Sequence, residues 1–247
     1  MVASKIDHLT EILKRLDAGE DPAKVKSEAK TFLGSITETD LVEAEQHLMQ
    51  SDIPPEQIRH LCSVHMEMLG SEQNRLKTSL GQDHVITTLM TEHDVILSFL
   101  DNLEIVNRSI QTTGGSSEDL KQLQNIAEHL LGAEPHHQRE EQILFPELER
   151  RGFFGPPQVM QMEHQTLRGY KREIKRIAES ADIKDPKVKA KLDQTSKALI
   201  VTLRDHIFKE NNILYPTALQ SIKGEEAWNK LKMQCDQVGY CCFTPNT

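Results

Sequence analysis

The chain has 247 residues, enough for one large domain or two small ones. With 29 Lys+Arg against 38 Asp+Glu it carries a formal net charge of −9, which leaves little to replace the counterions of a nucleic-acid backbone. Aromatic content of 4% disfavours a β-sandwich, a barrel or a base-stacking surface. No stretch approaches the ~20 consecutive apolar residues of a membrane-spanning helix. The opening MVASKIDHLTEILKRL is amphipathic and unlike a signal peptide, and four Cys, two of them adjacent, make a poor disulfide framework. The expected setting is therefore a reducing cytoplasm, with neither nucleic acid nor membrane as partner. Against this background, 11 His in an acidic chain stand out.

Apolar residues recur at three- and four-residue spacing along nearly the whole sequence, which predicts an all-α protein. Four short helices are expected first: Ile6 to Leu16, one opened by Asp21-Pro22, one capped by Thr37, and one opened by Pro54-Pro55. They suggest a small helical domain over residues 1–72, followed by a polar linker from Gly70 to Gln82. Longer helices follow, from about His84 to Ile110, Glu118 to Arg151 with a bend at Pro135, Gln158 to Ser180, and Asp185 to Ser221. Joined by short loops, they should pack as an antiparallel four-helix bundle over residues 84–221. A last helix, Glu225 to Val238, and a Cys-containing tail complete residues 222–247.

An internal repeat carries the histidines. His136, Glu140, Ile143, Leu144, Phe145 and Pro146 recur as His206, Glu210, Ile213, Leu214, Tyr215 and Pro216 at an offset of 70. Upstream, Glu92-His93 recurs as Glu163-His164 at an offset of 71. The bundle thus reads as a duplicated helical hairpin about a pseudo-twofold axis. Residues four apart share one helix face, so His136/Glu140 and His206/Glu210 each present an imidazole beside a carboxylate. Four His and two Glu converging in a core would be costly as unpaired charges, and cations resolve that conflict. Two metals fit: His93, His136, His164 and His206 supply two imidazoles to each, and Glu140 and Glu210 bridge both. Such donors suit iron, manganese or zinc.

The pattern EH…HxxxE…EH…HxxxE with its ILFP tail resembles the hemerythrin-like, or HHE cation-binding, domains over about residues 84–220. The N-terminal 70 residues, with EAEQHLMQSDIPPEQIRHLCSVH, resemble a helical domain of unknown function often fused ahead of such bundles. The resemblance implies two iron ions, oxo- or hydroxo-bridged, with zinc or manganese as substitutes. It also implies a small diatomic or peroxide ligand such as oxygen, nitric oxide or peroxide. The expected function is binding, sensing or reacting with that molecule. The alternatives are iron-centre repair under oxidative or nitrosative stress, or plain metal binding and storage. The N-terminal domain would transmit or dock to a protein partner. True hemerythrins carry HxxxH on the third helix, whereas here Arg168 follows His164 by four, so the resemblance implies that one iron lacks a ligand. Arg168, one turn after His164, is expected at the rim of that metal, where it would attract an anion.

The neighbouring pair His137/Glu141 has the same spacing as His136/Glu140. Its repeat counterparts are Ile207 and Asn211, so the site is assigned to His136/Glu140 with Glu141 as the substitute. His84 reads as a cap or outer partner, and His129 as lining one end of the bundle. Glu92 and Glu163 read as solvated helix faces, and Phe145 and Tyr215 as core aromatics. Cys62 reads as a buried thiol near His65, and Cys241-Cys242 as reduced tail thiols. If the tail folds back, these would instead form a thiol pair or a third metal site.

Overall fold

The computed structural model describes residues 79–244 except 181, together with 8, 11, 12, 15, 20, 24, 25 and 77. The chain divides into two compact units, Met1–Arg75 and Leu76–Thr247. The four short N-terminal helices, Cys62 and His65 lie outside the described residues, apart from those isolated positions. In the second unit the helices are α1 (Val85–Thr113), α2 (Ser117–Gly132), α3 (Glu134–Arg139), α4 (Phe145–Arg150), α5 (Gly155–Ser180), α6 (Pro186–Lys209), α7 (Tyr215–Ser221) and α8 (Glu225–Val238). No strand occurs among the described residues, and none of their helices is long and apolar enough to cross a membrane.

Local chemistry sets the helix ends. The ring of His84 caps α1, its Nδ1 accepting from the Ile86 amide at 3.2 Å. Helix α1 stops at Gly114 and Gly115, whose φ values of 91° and 82° favour glycine. A Cβ on Gly115 would meet Ile183 Cδ1 at 2.8 Å. Ser116 and Asp119 form a reciprocal capping box for α2. Asp185 caps α6 ahead of Pro186. The expected long helix from 118 to 151 is broken, not merely bent. Gly132 ends α2, Ala133 is non-helical, and Pro135 lies in the first turn of α3, where its missing N–H costs nothing.

Four antiparallel pairings close the bundle. Phe99 and His129 join α1 to α2, and Gln124 donates to the Ala178 carbonyl between α2 and α5. His164 meets His206 between α5 and α6, while Asn107 bonds Asp193 between α6 and α1. Apolar residues segregate into two clusters along the axis. One holds Leu100, Leu103, Leu123, Ile174, Leu199 and their neighbours. The other holds Ile86, Leu89, Leu144, Leu148, Leu214 and Leu231. The polar centre lies between them in sequence on every helix: His93 falls between Met90 and Ile96, and His164 between Met160 and Leu167. Helix α8 covers the second cluster through Leu231 and Cys235, with Trp228 beside His84 at 4.4 Å. The tail then folds onto the bundle. Tyr240 lies over the Arg139 guanidinium, Cys241 is buried, and Thr244 donates to Glu92.

Candidate metal centre

The two His-x-x-x-Glu segments run into π-helical turns at equivalent places, Glu140–Leu144 and Glu210–Leu214. In each, an amide bonds five residues back, Phe145 to the Glu140 carbonyl and Tyr215 to the Glu210 carbonyl. Pro146 and Pro216 follow immediately and have no N–H for an α-type bond, so the ladder re-registers there. The wide turn lets Glu140, Leu144 and Phe145 all be buried, and likewise Glu210, Leu214 and Tyr215.

All four repeat-related histidines are at most 1% exposed, and each has Nδ1 on an outward partner. His93 Nδ1 meets Asn211 Oδ1 at 2.8 Å, and His136 Nδ1 meets Glu92 Oε2 at 2.7 Å. His164 Nδ1 meets Glu141 Oε1 at 2.8 Å, and His206 Nδ1 meets Glu163 Oε2 at 2.7 Å. An imidazole donating from Nδ1 to such oxygens keeps its lone pair on Nε2, and all four Nε2 atoms face the carboxylates. Glu140 Oε2 is 3.5 Å from Nε2 of both His136 and His164. Glu210 Oε2 is 3.2 Å from His93 Nε2, and its Oε1 is 2.9 Å from His206 Nε2 and 3.6 Å from His164 Nε2. Each carboxylate therefore lies between imidazoles of both halves, Glu140 between two and Glu210 among three.

These groups fit a bound cation. Glu140 Oε2, both oxygens of Glu210, and Nε2 of His164 and His206 are buried without a hydrogen-bond partner. Orphans of this kind are costly, and together they are a metal's donor set. Donors each about 2.1 Å from one ion stand about 3.0–3.4 Å apart, close to the 2.9–3.6 Å separations found here. Buried donor atoms lie within 4.8 Å of one another in three groups: His93/His136/Glu210, Glu140/His164/Glu210 and His137/His164/His206.

The electrostatics agree. Burial and the charge of Glu210 push the Glu140 carboxyl well above its usual range. Glu210 is held well below that range: burial opposes ionisation, but the charge of His206 and the close imidazoles of His164, His206 and His93 outweigh it. His206 rises to about 9 against its burial, because Glu210 and Glu163 favour the imidazolium. Burial draws His136 down to about 4 despite Glu92. These directions favour protons on Glu140 and His206 in the absence of a cation, and metal uptake would displace them.

The structure brings together the six expected residues His93, His136, Glu140, His164, His206 and Glu210. Several other readings need correction. Glu92 is fully buried and accepts from both His136 and Arg139, and the 24%-exposed Glu163 side chain holds His206 and Lys209. Neither is a solvated face. Arg168 does not reach the metal rim. It donates to Glu134 at 2.6 Å and to Glu141 at 2.8 Å, supporting the carboxylate behind His164. Asn211 does mirror Glu141, since each accepts Nδ1–H from a histidine of the opposite hairpin. Tyr215 is more than a core aromatic: its hydroxyl donates to Glu140 Oε1 at 2.7 Å. His129 is half-buried, its ring on Phe99 at 4.7 Å and its Nδ1 at the Asn125 carbonyl. Sequence reasoning set aside His137, which is 2% exposed and stacked on His164 with ring centroids 3.9 Å apart. The doubled His-His was its only signal.

A helical bundle with buried imidazoles and carboxylates facing one another is the architecture of a cation-binding protein. Residues 84–218 match the hemerythrin HHE cation binding domain, and the chain belongs to that family. Residues 9–74 match a family of unknown function (DUF438). No curated protein matches the chain.

Proposed function

We propose that the bundle holds two iron ions and uses them to bind or react with a small molecule such as oxygen, nitric oxide or peroxide. His93 and His136 serve one ion, His164 and His206 the other, and Glu140 and Glu210 bridge them. The observation that carries this reading is the shared orientation of four imidazoles. Nδ1 of each is held from outside, and the Nε2 atoms face two carboxylates, three of whose four oxygens lack hydrogen-bond partners while the fourth accepts from Tyr215. Mixed nitrogen and oxygen donors suit iron, and manganese or zinc could substitute. When bound, the pair supplies redox and Lewis-acid chemistry. The protein's own part is to orient the rings, keep water out of a closed core, and present the Tyr215 hydroxyl beside Glu140. Free thiols at Cys235, Cys241 and Cys242 support a reducing, cytoplasmic setting. We assign docking to a protein partner to the N-terminal unit, whose matching family has no known function.

Metal analysis of protein from its native host tests the reading, with about two irons per chain expected. Glu210→Ala should weaken both sites, and if it keeps both metals at wild-type affinity the bridging role fails. Chelation should also lower the melting temperature, because metal at a hundred times its dissociation constant adds ~2.7 kcal/mol to folding. Stopped-flow spectra of the reduced protein with oxygen and with nitric oxide would identify the ligand.

A further inference from the structure

The tail carries two consecutive thiols, Cys241 and Cys242, in opposite settings. Gly239, at φ 92°, turns the chain off the end of α8. Side chains of four residues then hold the tail down. Tyr240 lies over the Arg139 guanidinium at 4.7 Å, and Cys241 Sγ is 3.9 Å from Arg139 Nη2. Phe243 meets Phe99 edge-on at 5.6 Å, and Thr244 donates to Glu92. A tight turn sets this register, with the Thr244 amide donating to the Cys241 carbonyl at 3.0 Å. Cys241 is the inward residue of the turn at 5% exposure, and Cys242 is exposed. Cys242 Sγ is 3.4 Å from where a Cβ on Gly132 would stand, at the break between α2 and α3. Both thiols are free, as is Cys235.

We propose that Cys242 is a site of oxidation by hydroperoxides, with Cys241 as its resolving thiol, and that the disulfide they form unlatches the tail. This does not depend on the two-metal reading above. Cys242 meets the oxidant first, because it is the member of the pair open to solvent. Its thiolate sulfur takes the terminal oxygen of the hydroperoxide. The O–O bond breaks, the sulfur becomes a sulfenic acid, and water or an alcohol leaves. The Cys241 sulfur then attacks the Cys242 sulfur. An S–S bond forms, the S–O bond breaks, and hydroxide leaves as water with the Cys241 proton. The two thiols lose two electrons and the hydroperoxide gains them. Burial pushes the Cys241 thiol up to about 12, so this second step waits on fluctuation of the tail. Bonded sulfurs lie about 2.05 Å apart, a separation that an inward and an outward neighbour reach only if the turn rearranges. Cys241 is thereby drawn off Arg139, and the Thr244 amide loses its carbonyl. Tyr240 and Thr244 follow, which opens to water the Arg139–Glu92 pair behind His136.

The test uses the full chain, reduced and then freed of metal so that added hydrogen peroxide is the only oxidant. A product lighter by two hydrogens is expected, with the disulfide mapped inside one peptide spanning residues 241–242 and reversed by a thiol reductant. Cys242→Ser, a change at an exposed position, should abolish that product. Cys241→Ser should stop at a Cys242 sulfenic acid that dimedone traps. Hydrogen exchange at the Thr244 amide should quicken at least about tenfold in the oxidised chain, while the buried amides of α1 and α5 keep their rates. The proposal falls if Cys242 pairs with Cys235, with Cys62 or with a second chain. It falls equally if Cys242 is over-oxidised without forming a disulfide, or if the 241–242 disulfide leaves Thr244 exchange unchanged.

Discussion

Glu92 Oε2 accepts Nδ1–H of His136 at 2.7 Å, so the residue before one expected ligand fixes the ring of another on a different helix. The same carboxylate accepts from Arg139, which is 1% exposed, and from Thr244 of the tail. Burial opposes its ionisation, but the His136 bond and the His136 and Arg139 charges draw its carboxyl down to about 2. Glu163 repeats the arrangement for His206, with its side chain about a quarter exposed.

Glu92→Gln should therefore do two things. It leaves the Arg139 charge buried without its counterion, which costs about 3 kcal/mol. It also loosens the aim of His136, weakening metal binding by about 10- to 100-fold. Glu163→Gln, with a partly exposed partner in Lys209, should cost about 1 kcal/mol. Urea melts of the metal-free proteins and iron titrations against a competing chelator measure both effects. Equal stability losses would show that the burial of Arg139 does not matter.

Lys171 is 2% exposed and its Nζ has no partner. Burial pulls its pKa down to about 8 from 10.5. Between these values the unfolded chain holds a proton that the folded chain lacks, so this group makes stability rise with pH across that window. Below pH 8 both states are charged, and the buried ammonium costs about 3 kcal/mol. Lys171→Met should be more stable than wild type at pH 7 by up to that amount, and the gain should vanish near pH 10.5. Denaturation midpoints at pH 7, 9 and 10.5 in chelator-treated protein check this. A destabilised variant at pH 7 would mean that the ammonium is paired.

Cys241 and Cys235 are buried, and burial pushes their thiols up to about 12 and about 11 respectively. Cys242, next to Cys241 in sequence, is exposed. Iodoacetamide at pH 8 should modify Cys242 at least about a hundredfold faster than either neighbour in folded protein. In urea the three should converge. Peptide mass mapping over time reads the rates, and fast labelling of Cys241 in folded protein would show that the tail is not packed on Arg139.

The sequence reading and the structure agree on the all-α fold and on the six residues that meet, because both are written as periodicity. Heptad-like spacing gives the helices, and an offset of 70 locates the His/Glu pairs twice. The outer partners were misread for a geometric reason. The residue before an inward-facing one is turned by about 100°. On an isolated helix that points to water, but in a four-helix bundle it points into the seam with the next helix. Glu92 and Glu163 occupy such seams. His137 was set aside because symmetry was used as a filter, and Ile207 does not match it. The π turns had no signature beyond Pro146 and Pro216, since a proline tells that a bond is missing and not how the ladder closes around it.

The four outward histidine bonds together trace a circuit. His136–Glu92 stitches α3 to α1, and His93–Asn211 stitches α1 to the turn after α6. His206–Glu163 stitches α6 to α5, and His164–Glu141 stitches α5 back to the turn after α3. Every seam of the bundle is thus laced once at the level of the centre. No wall can swing away from its neighbours without turning a donor ring off target, so helix separation and ion release are one motion. A bound cation would leave either end-on between the apolar clusters or by breathing of a single seam, and the seam that breathes decides which donor ring lets go first.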